Sequence, residues 1–263
     1  MTDDRISVTG FARGGTDTLF RFQGDDVDAQ RSTFTCLGGP WLRDEHLGVV
    51  RAGLAPALDE ATGSIVGTGA EHGRWPVSLS LRLDFLGDPP ADGTPVTVTG
   101  ALVATDAQGA ITRGEAHTAD GTVIALVTHR SHLVNVDHGT LPKRLVPDVP
   151  AADVTVRTAL GFTENKPGQL TMALNPYATN GMGNVHGGVL SVGSELAAHS
   201  LFQSGWRTRS IDISFVRPRV GATPTTFTAE LVYLGRSLGV AHVAAHGPDG
   251  KVCSTATVTA QPA

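Results

Sequence analysis

Lysine is nearly missing from this sequence: Lys143, Lys166 and Lys251 are the only three among 20 Lys and Arg residues. Those 20 cations face 25 Asp and Glu, for a net charge of −5. That balance excludes a strongly basic nucleic-acid binder and a polyacidic tail protein alike. Charged residues are 17% of the chain, below the roughly 25% of an average soluble domain. Aromatic residues are scarce too, at 5%, but 40% of the chain is hydrophobic, enough to fill a core, so disorder is excluded. No apolar run approaches the ~20 residues of a membrane-spanning helix. Met1-Thr2-Asp3-Asp4-Arg5 leads into no apolar segment of the kind a secretory signal carries. The two cysteines, Cys36 and Cys253, stand at opposite ends and form neither a C-x-x-C pair nor a disulfide framework. They read as buried thiols of a cytoplasmic protein, since reducing compartments disfavour disulfides.

What is present suggests one pattern used twice. At ~150 residues per domain, 263 residues amount to roughly two domains. Residues 135–153 hold Pro142, Pro147 and Pro150, which fix φ and remove backbone donors, as suits a linker. Before this seam, Leu54 to Gly69 is helical in composition. Val77 to Phe85 then places apolar residues at every second position, the period of a strand with one buried face. Pro89-Pro90 ends it, and residues 95–105 and 111–130 give further strands, the latter turning at Ala119-Asp120-Gly121. After the seam, Gly187 to Gln203 is the helix and Ser210 to Phe215 the alternating strand. Residues 225–234, 237–246 and 251–260 follow as strands, with a tight turn at Gly247-Pro248-Asp249-Gly250. Asp59 and Glu195, Ser78 and Ser210, and Gly121 and Gly250 are 136, 132 and 129 residues apart. Offsets this similar predict a duplicated domain of α+β class, with residues 1–134 and 154–263 as its copies and 135–153 as the linker. Each copy would wrap a sheet around a helix apolar on nearly all sides.

The chemistry-bearing stretch is Asn180-Gly181-Met182-Gly183-Asn184-Val185-His186-Gly187-Gly188-Val189-Leu190, with Glu195 beyond it. A dinucleotide loop needs a third glycine where His186 stands. A serine-hydrolase elbow needs glycines flanking Ser191, which are missing. Glu195 and His199, four apart on one helix face, read as a polar pair, and His242 and His246 as ordinary strand residues, because no H-E-x-x-H or Cys/His cluster accompanies them. Neither a metal nor a cofactor is expected. Gly187-Gly188, in contrast, opens an apolar helix whose first N–H groups lack intrahelical partners. Glycine admits a ligand to that backbone, and the helix N-terminus carries partial positive charge. Such a site polarises a carbonyl, with His186 and Asn180 beside it to make hydrogen bonds.

Asn180, His186-Gly187-Gly188 and an acid nine residues after the histidine together resemble the hotdog-fold acyl-CoA thioesterases, closest to the phenylacetyl-CoA and 4-hydroxybenzoyl-CoA type. The segment Ser210 to Pro218 also resembles the strand that follows the family's central helix. The match is good over about 155–260 and weaker over about 35–134. The weaker half keeps Leu58-Asp59-Glu60-Ala61 and Val77-Ser78, but has Val50-Arg51-Ala52 where His-Gly-Gly belongs. The resemblance implies a double hotdog: two antiparallel sheets, each wrapped round a central helix, joined edge to edge as an intrachain pseudo-dimer. It implies a loop glycine N–H that polarises a thioester carbonyl, an acid acting as nucleophile or general base, and a Ser or Thr that orients water. It also implies an acyl-CoA or other acyl thioester as substrate, and a homodimer of such chains.

Helix geometry selects the acid. Gly187 and Glu195 on one helix are about 12 Å apart at 1.5 Å per residue, too far for both to reach one carbonyl carbon. Between antiparallel helices the distance closes. The complete set is therefore Asn180, His186 and Gly187 from one half with Asp59 and Ser78 from the other. The reverse set, Glu195 and Ser210 with the loop around Asp44, Val50 and Arg51, lacks Asn, His and Gly. One working site per chain is expected, with Asp59 as its acid and Glu195 vestigial. Arg217, Arg219 and Arg236 read as solvated surface arginines in preference to partners for CoA phosphates. Two other functions remain open: a non-catalytic acyl-CoA-binding hotdog, and a hotdog dehydratase or hydratase.

Overall fold

The computed structural model describes residues 14–136, 147–219 and 223–263. Residues 137–146 of the proline-rich seam and the first five residues lie outside them. In chain order the elements are α1 (Gly15–Phe20), β1 (Phe22–Val27), β2 (Arg31–Leu37), β3 (Arg43–Asp44), β4 (Gly48–Val49), α2 (Ala55–Gly69), β5 (Arg74–Phe85), β6 (Pro95–Asp106), β7 (Gly109–His117) and β8 (Val123–Asn135). There follow α3 (Val156–Ala159), β9 (Phe162–Lys166), β10 (Gln169–Met172), α4 (Gly187–His199), β11 (Trp206–Phe215), β12 (Thr225–Leu234), β13 (Gly239–His246) and β14 (Val252–Pro262).

Twelve strands form one antiparallel sheet in the order β1-β2-β6-β7-β8-β5-β11-β14-β13-β12-β10-β9. The first six come from one side of the seam and the last six from the other. The sequence predicts two sheets joined edge to edge; the structure carries a single continuous sheet, because β5 and β11 hydrogen-bond across the join. Leu83 faces Ile211 there, and Leu81 faces Ile213. All four side chains are fully buried, so the join is stitched by main-chain bonds and sealed by apolar packing. The short β3–β4 pair stands apart.

α2 packs on β2, β5, β6, β7 and β8, and α4 on β10 to β14, and the two helices touch each other. Twelve of the thirteen residues of α4 are buried. Its serines are accommodated in this core because Ser191 and Ser194 donate back to the carbonyls of Gly187 and Leu190. α4 ends at His199, a turn earlier than its composition predicts. The four outermost strands, β1, β2, β9 and β10, and the short α1, are structure that the periodicity does not announce.

One departure bears on the site. The alternation from Val77 to Phe85 predicts a single buried face, yet Leu79 is 41% exposed. β5 shifts register against β8 between Ser78 and Ser80, a bulge that leaves Leu79 out of the pairing. Beyond it, Leu81, Leu83 and Phe85 resume the buried face.

Candidate active site

A cavity of about 390 Å³ opens where α2, β5 and β8 meet the loop before α4 and the end of β11. Asp59, Ser78, Asn180, His186 and Gly187 all line it, so five of the six sequence-predicted residues converge there. The sixth, Glu195, is not among its lining residues. Apolar wall comes from Trp75, Leu79, Met182, Leu190, Phe215 and Val216.

Asp59 sits on the second turn of α2, 7% exposed. Ser78 on β5 donates its hydroxyl to Asp59 Oδ1 at 2.7 Å. Asp59 Oδ2 faces the other half of the chain, 3.4 Å from His186 Nδ1. It also lies so close to Gly187 that a Cβ there would stand 2.7 Å from it and 2.9 Å from Phe215. The two glycines of the motif therefore serve different neighbours. Gly187 admits the carboxylate. Gly188 lies against the backbone of Ala55 and Pro56 at the start of α2, where a Cβ would overlap main-chain atoms. Close approach of α4 to α2, rather than of ligand to backbone, is what Gly188 permits.

His186 is the N-cap of α4. Its Nδ1 accepts the Gly188 N–H at 3.0 Å, which satisfies one of the orphan donors of the helix start. Its carbonyl accepts from Val189 and Leu190. Among the described residues Gly187 N–H donates to no protein acceptor, and Gly187 lines the cavity at the positive end of α4. His186 Nε2 points to Glu60 Oε2, 3.7 Å away. Burial alone pushes the His186 pKa down, but the hydrogen bond to Glu60 and the charges of Asp59, Glu60 and Asp17 outweigh it and hold the imidazole above the ordinary histidine value. Asn180 turns its Oδ1 onto the N–H groups of Met182 and Asn184, shaping its own loop, and its Nδ2 remains as a donor.

α1 braces this loop from the other half. Thr16 donates its hydroxyl to the carbonyls of Tyr177 and Thr179, and Gly15 packs against the Pro176–Tyr177 backbone with no room for a Cβ. Sequence reasoning missed α1, Asp17, Glu60 and His129. The last was detectable: in β8 the residues Ala125, Val127, His129 and Ser131 alternate toward the buried face, and a histidine at such a position is a signal.

The reverse set is arranged differently. Glu195 is fully buried, and its Oε2 accepts the N–H of Ala52 at 2.8 Å. Burial raises its pKa to about 7 against the opposing pull of Thr208, Ala52 and Arg51. Arg51 is directed away to Asp88 at 2.6 Å and to the Thr208 carbonyl at 2.8 Å. Asp44 is held by Arg157 at 2.7 Å, and Val50 is buried. His199, four residues from Glu195, bonds to Thr208 Oγ1 at 2.8 Å, and burial lowers its pKa to about 4. Among the described residues no group of three or more His, Cys, Asp and Glu side chains is set to hold a metal. Arg219, read from sequence as solvated, is buried and donates to the carbonyls of Thr223 and Pro224. No helix among the described residues is long and apolar enough to cross a membrane. Cys36 and Cys253 are both buried free thiols.

Residues 176–261 match the family described as the acyl-CoA thioesterase N-terminal domain. No curated protein matches the chain. Among solved structures, the fold is similar to the tesB protein of Mycobacterium avium subs paratuberculosis, with TM-score 0.63, 15% identity, and 91% of this chain and 95% of that one covered. It is also similar to an acyl-ACP thioesterase from Bacteroides thetaiotaomicron, with TM-score 0.60, 14% identity, and 88% and 98% covered. A conserved protein with hot dog fold from Alicyclobacillus acidocaldarius gives TM-score 0.59 at 11% identity, with 95% and 98% covered. At such identities the likeness is one of fold, and that fold is hotdog-like. The match over residues 176–261, together with this fold, supports a hydrolase acting on acyl-CoA thioesters.

Proposed function

We propose that the chain is a double hotdog, with 1–134 and 154–263 as its two units, that hydrolyses an acyl thioester at one composite site per chain. The observation that carries this reading is the 2.7 Å contact of Ser78 with Asp59 beside Gly187 and His186, four residues from the two sides of the seam on one cavity.

In this reading the thioester carbonyl docks on Gly187 N–H, where the α4 dipole and a donor already in place stabilise the oxyanion. Asp59 then acts on the carbonyl carbon, as general base to water or as nucleophile through a mixed anhydride. Ser78 holds Asp59 Oδ1, so that Oδ2 is the oxygen turned to the reacting carbon. Asn180 Nδ2 helps to orient the thioester, and His186 keeps the helix start in register. Glu195 takes no part. The substrate is an acyl-CoA or acyl-carrier thioester; the Asn180–His186–Gly187 motif keeps the phenylacetyl-CoA and 4-hydroxybenzoyl-CoA type in the test panel beside fatty acyl groups. The reading includes a cytoplasmic protein that pairs into homodimers, for which light scattering is expected to give the mass of two chains.

The test is release of free CoA from a panel of acyl-CoAs by the wild type, Asp59→Asn and Glu195→Gln. Hydrolysis that survives in Glu195→Gln and is lost in Asp59→Asn is expected. The opposite pattern overturns the site, and saturable binding with no turnover by the wild type overturns the activity. A single turnover in ¹⁸O-water identifies an anhydride opened by water at the Asp59 carboxyl carbon, since only that route places label in the Asp59 carboxyl group and none in the product acid.

A further inference from the structure

α2 contains a glycine that its packing does not explain. Gly63 lies in the middle of the helix, one turn after Asp59, where glycine destabilises a helix relative to alanine. The three glycines of α4 each have a neighbour that forbids a side chain. A Cβ at Gly187 would stand 2.7 Å from Asp59, one at Gly188 would overlap the Pro56 backbone, and one at Gly193 the Phe227 ring. At Gly63 a Cβ would meet, outside its own helix, only His129 Cε1 at 3.6 Å, an ordinary van der Waals contact. None of the described residues needs that room, yet Gly63 and Ser64 line the cavity that holds Asp59.

Chain order places this room relative to the acid. After α2 the chain turns through residues 70–73 and returns along β5 to bring Ser78 back to Asp59. Gly63 and Ser64 on the outward path and Trp75 to Val77 on the return therefore lie on one side of the Ser78–Asp59 bond. Val134 of β8 pairs with Trp75 there. All of these residues line the cavity, and Trp75, Pro76, Val77 and Val134 make this side apolar. It extends about 6 Å from Asp59 to Gly63 along the helix and about 10 Å from Ser78 to Trp75 along the strand. The other side, beyond Gly187, brings Asn180, Asn184 and the exposed Arg217 to the cavity.

Resting on the thioesterase reading, we infer that Gly63 is the specificity-determining residue of an acyl subsite between α2 and the start of β5. An extended chain covers about 3.5 Å in three bonds, so the subsite takes an apolar straight-chain acyl group of about six to eight carbons. Gly63 leaves the helix wall of the subsite without a side chain, and Trp75, the lining residue of β5 farthest from Ser78, closes its far end. Each added methylene removes apolar surface from water, so binding improves with chain length until that end is reached. The sulfur and the rest of the thiol leave toward Asn180, Asn184 and Arg217, whose amides and charge suit the polar part of the substrate.

The experiment is kcat/KM for CoA release from straight-chain acyl-CoAs of about two to sixteen carbons, for the wild type, Gly63→Ala, Gly63→Leu and Trp75→Ala, with thermal melts of each. The wild type is expected to be fastest at about six to eight carbons. Gly63→Leu is expected to lower kcat/KM at those lengths by about 10- to 100-fold and to leave acetyl-CoA within about threefold, which moves the optimum to shorter chains. Trp75→Ala is expected to move it to longer ones. Gly63→Ala gains helix propensity without a clash and is expected to raise Tm; a lower Tm means that packing requires the glycine, and overturns the inference. A folded Gly63→Leu with the wild-type length profile, or with an equal loss at every length, overturns the subsite alone, since an active wild type leaves thioester hydrolysis standing. Should Gly63→Leu fail to fold, an unchanged optimum in Trp75→Ala overturns the subsite. A wild type that releases CoA at no chain length overturns the underlying reading together with it.

Discussion

Asp59 and Glu195 are carboxylates on the two central helices, and their surroundings diverge. Asp59 has a serine hydroxyl on one oxygen and a cavity beside the other. Glu195 has a backbone amide pressed directly onto it and does not line the Asp59 cavity. At the first, the opposite helix begins with glycine and a histidine cap, and Gly187 lines the cavity. At the second, the opposite helix is preceded by the turn Arg51–Leu54, whose Ala52 N–H goes to the carboxyl itself. Asp59 Oδ2 lies beside Gly187, and the cavity adjoins both. At Glu195 the Ala52 N–H is bonded to the carboxyl itself. The two helices thus carry one acid beside a cavity and one bonded to an amide, and the residues at the start of the facing helix differ accordingly.

This contrast can be broken in four ways, taken from the largest expected effect to the smallest. Asp59→Asn is expected to lower kcat by about 100-fold or more, while Glu195→Gln stays within about threefold of wild type; equal losses in the CoA-release assay would erase the distinction. Exchange of the motif glycines separates chemistry from packing. Gly187→Ala pushes a methyl against Asp59 and Phe215 and is expected to cost about 10- to 100-fold in kcat/KM with a small change in Tm. Gly188→Ala drives one into the Ala55–Pro56 backbone and is expected to destabilise by about 1–3 kcal/mol, read as a lower Tm. Ser78→Ala removes the donor to Asp59 Oδ1 and is expected to lower kcat by about tenfold, a single charge-assisted hydrogen bond.

The last test uses pH. Glu195 keeps its proton to about 7 in the fold, whereas an unfolded carboxyl loses it near its ordinary value of about 4.3. The unfolded state therefore sheds its proton first, and the stability tied to this group is complete at acidic pH and lost as pH rises through about 7. Glu195→Gln is expected to lack that loss, so its Tm advantage over the wild type grows from pH 5 to pH 8. Parallel Tm curves for the two proteins would remove Glu195 as the closed counterpart of Asp59.

Much of the site is legible in the sequence for a physical reason. A carboxylate, a loop glycine and a capping histidine are chemical identities that need no coordinates, and the offsets of 129–136 residues are what suggested placing them together. The central strands and helices are legible because burial on one face imposes alternation. Edge strands are not: β1 reads Phe-Gln-Gly-Asp-Asp-Val and β9 Phe-Thr-Glu-Asn-Lys, with four exposed residues in each, so solvent removes the period that would betray them. His129 illustrates the middle case. Its inward register is written in β8, but that its ring meets Thr62 on one side and Asp59 on the other is settled by how α2 lies across the sheet.

By itself the sequence determined that a His-Gly-Gly motif lies on one side of the proline-rich seam and an acid followed by a serine on the other, and that the chain has the apolar content to bury both helices. Only the tertiary structure decided that the halves share one continuous sheet, because pairing of β5 with β11 is a long-range choice that no local pattern encodes. Only it decided that Gly188 serves helix contact while Gly187 serves the carboxylate, because a missing side chain acquires meaning from what occupies its place.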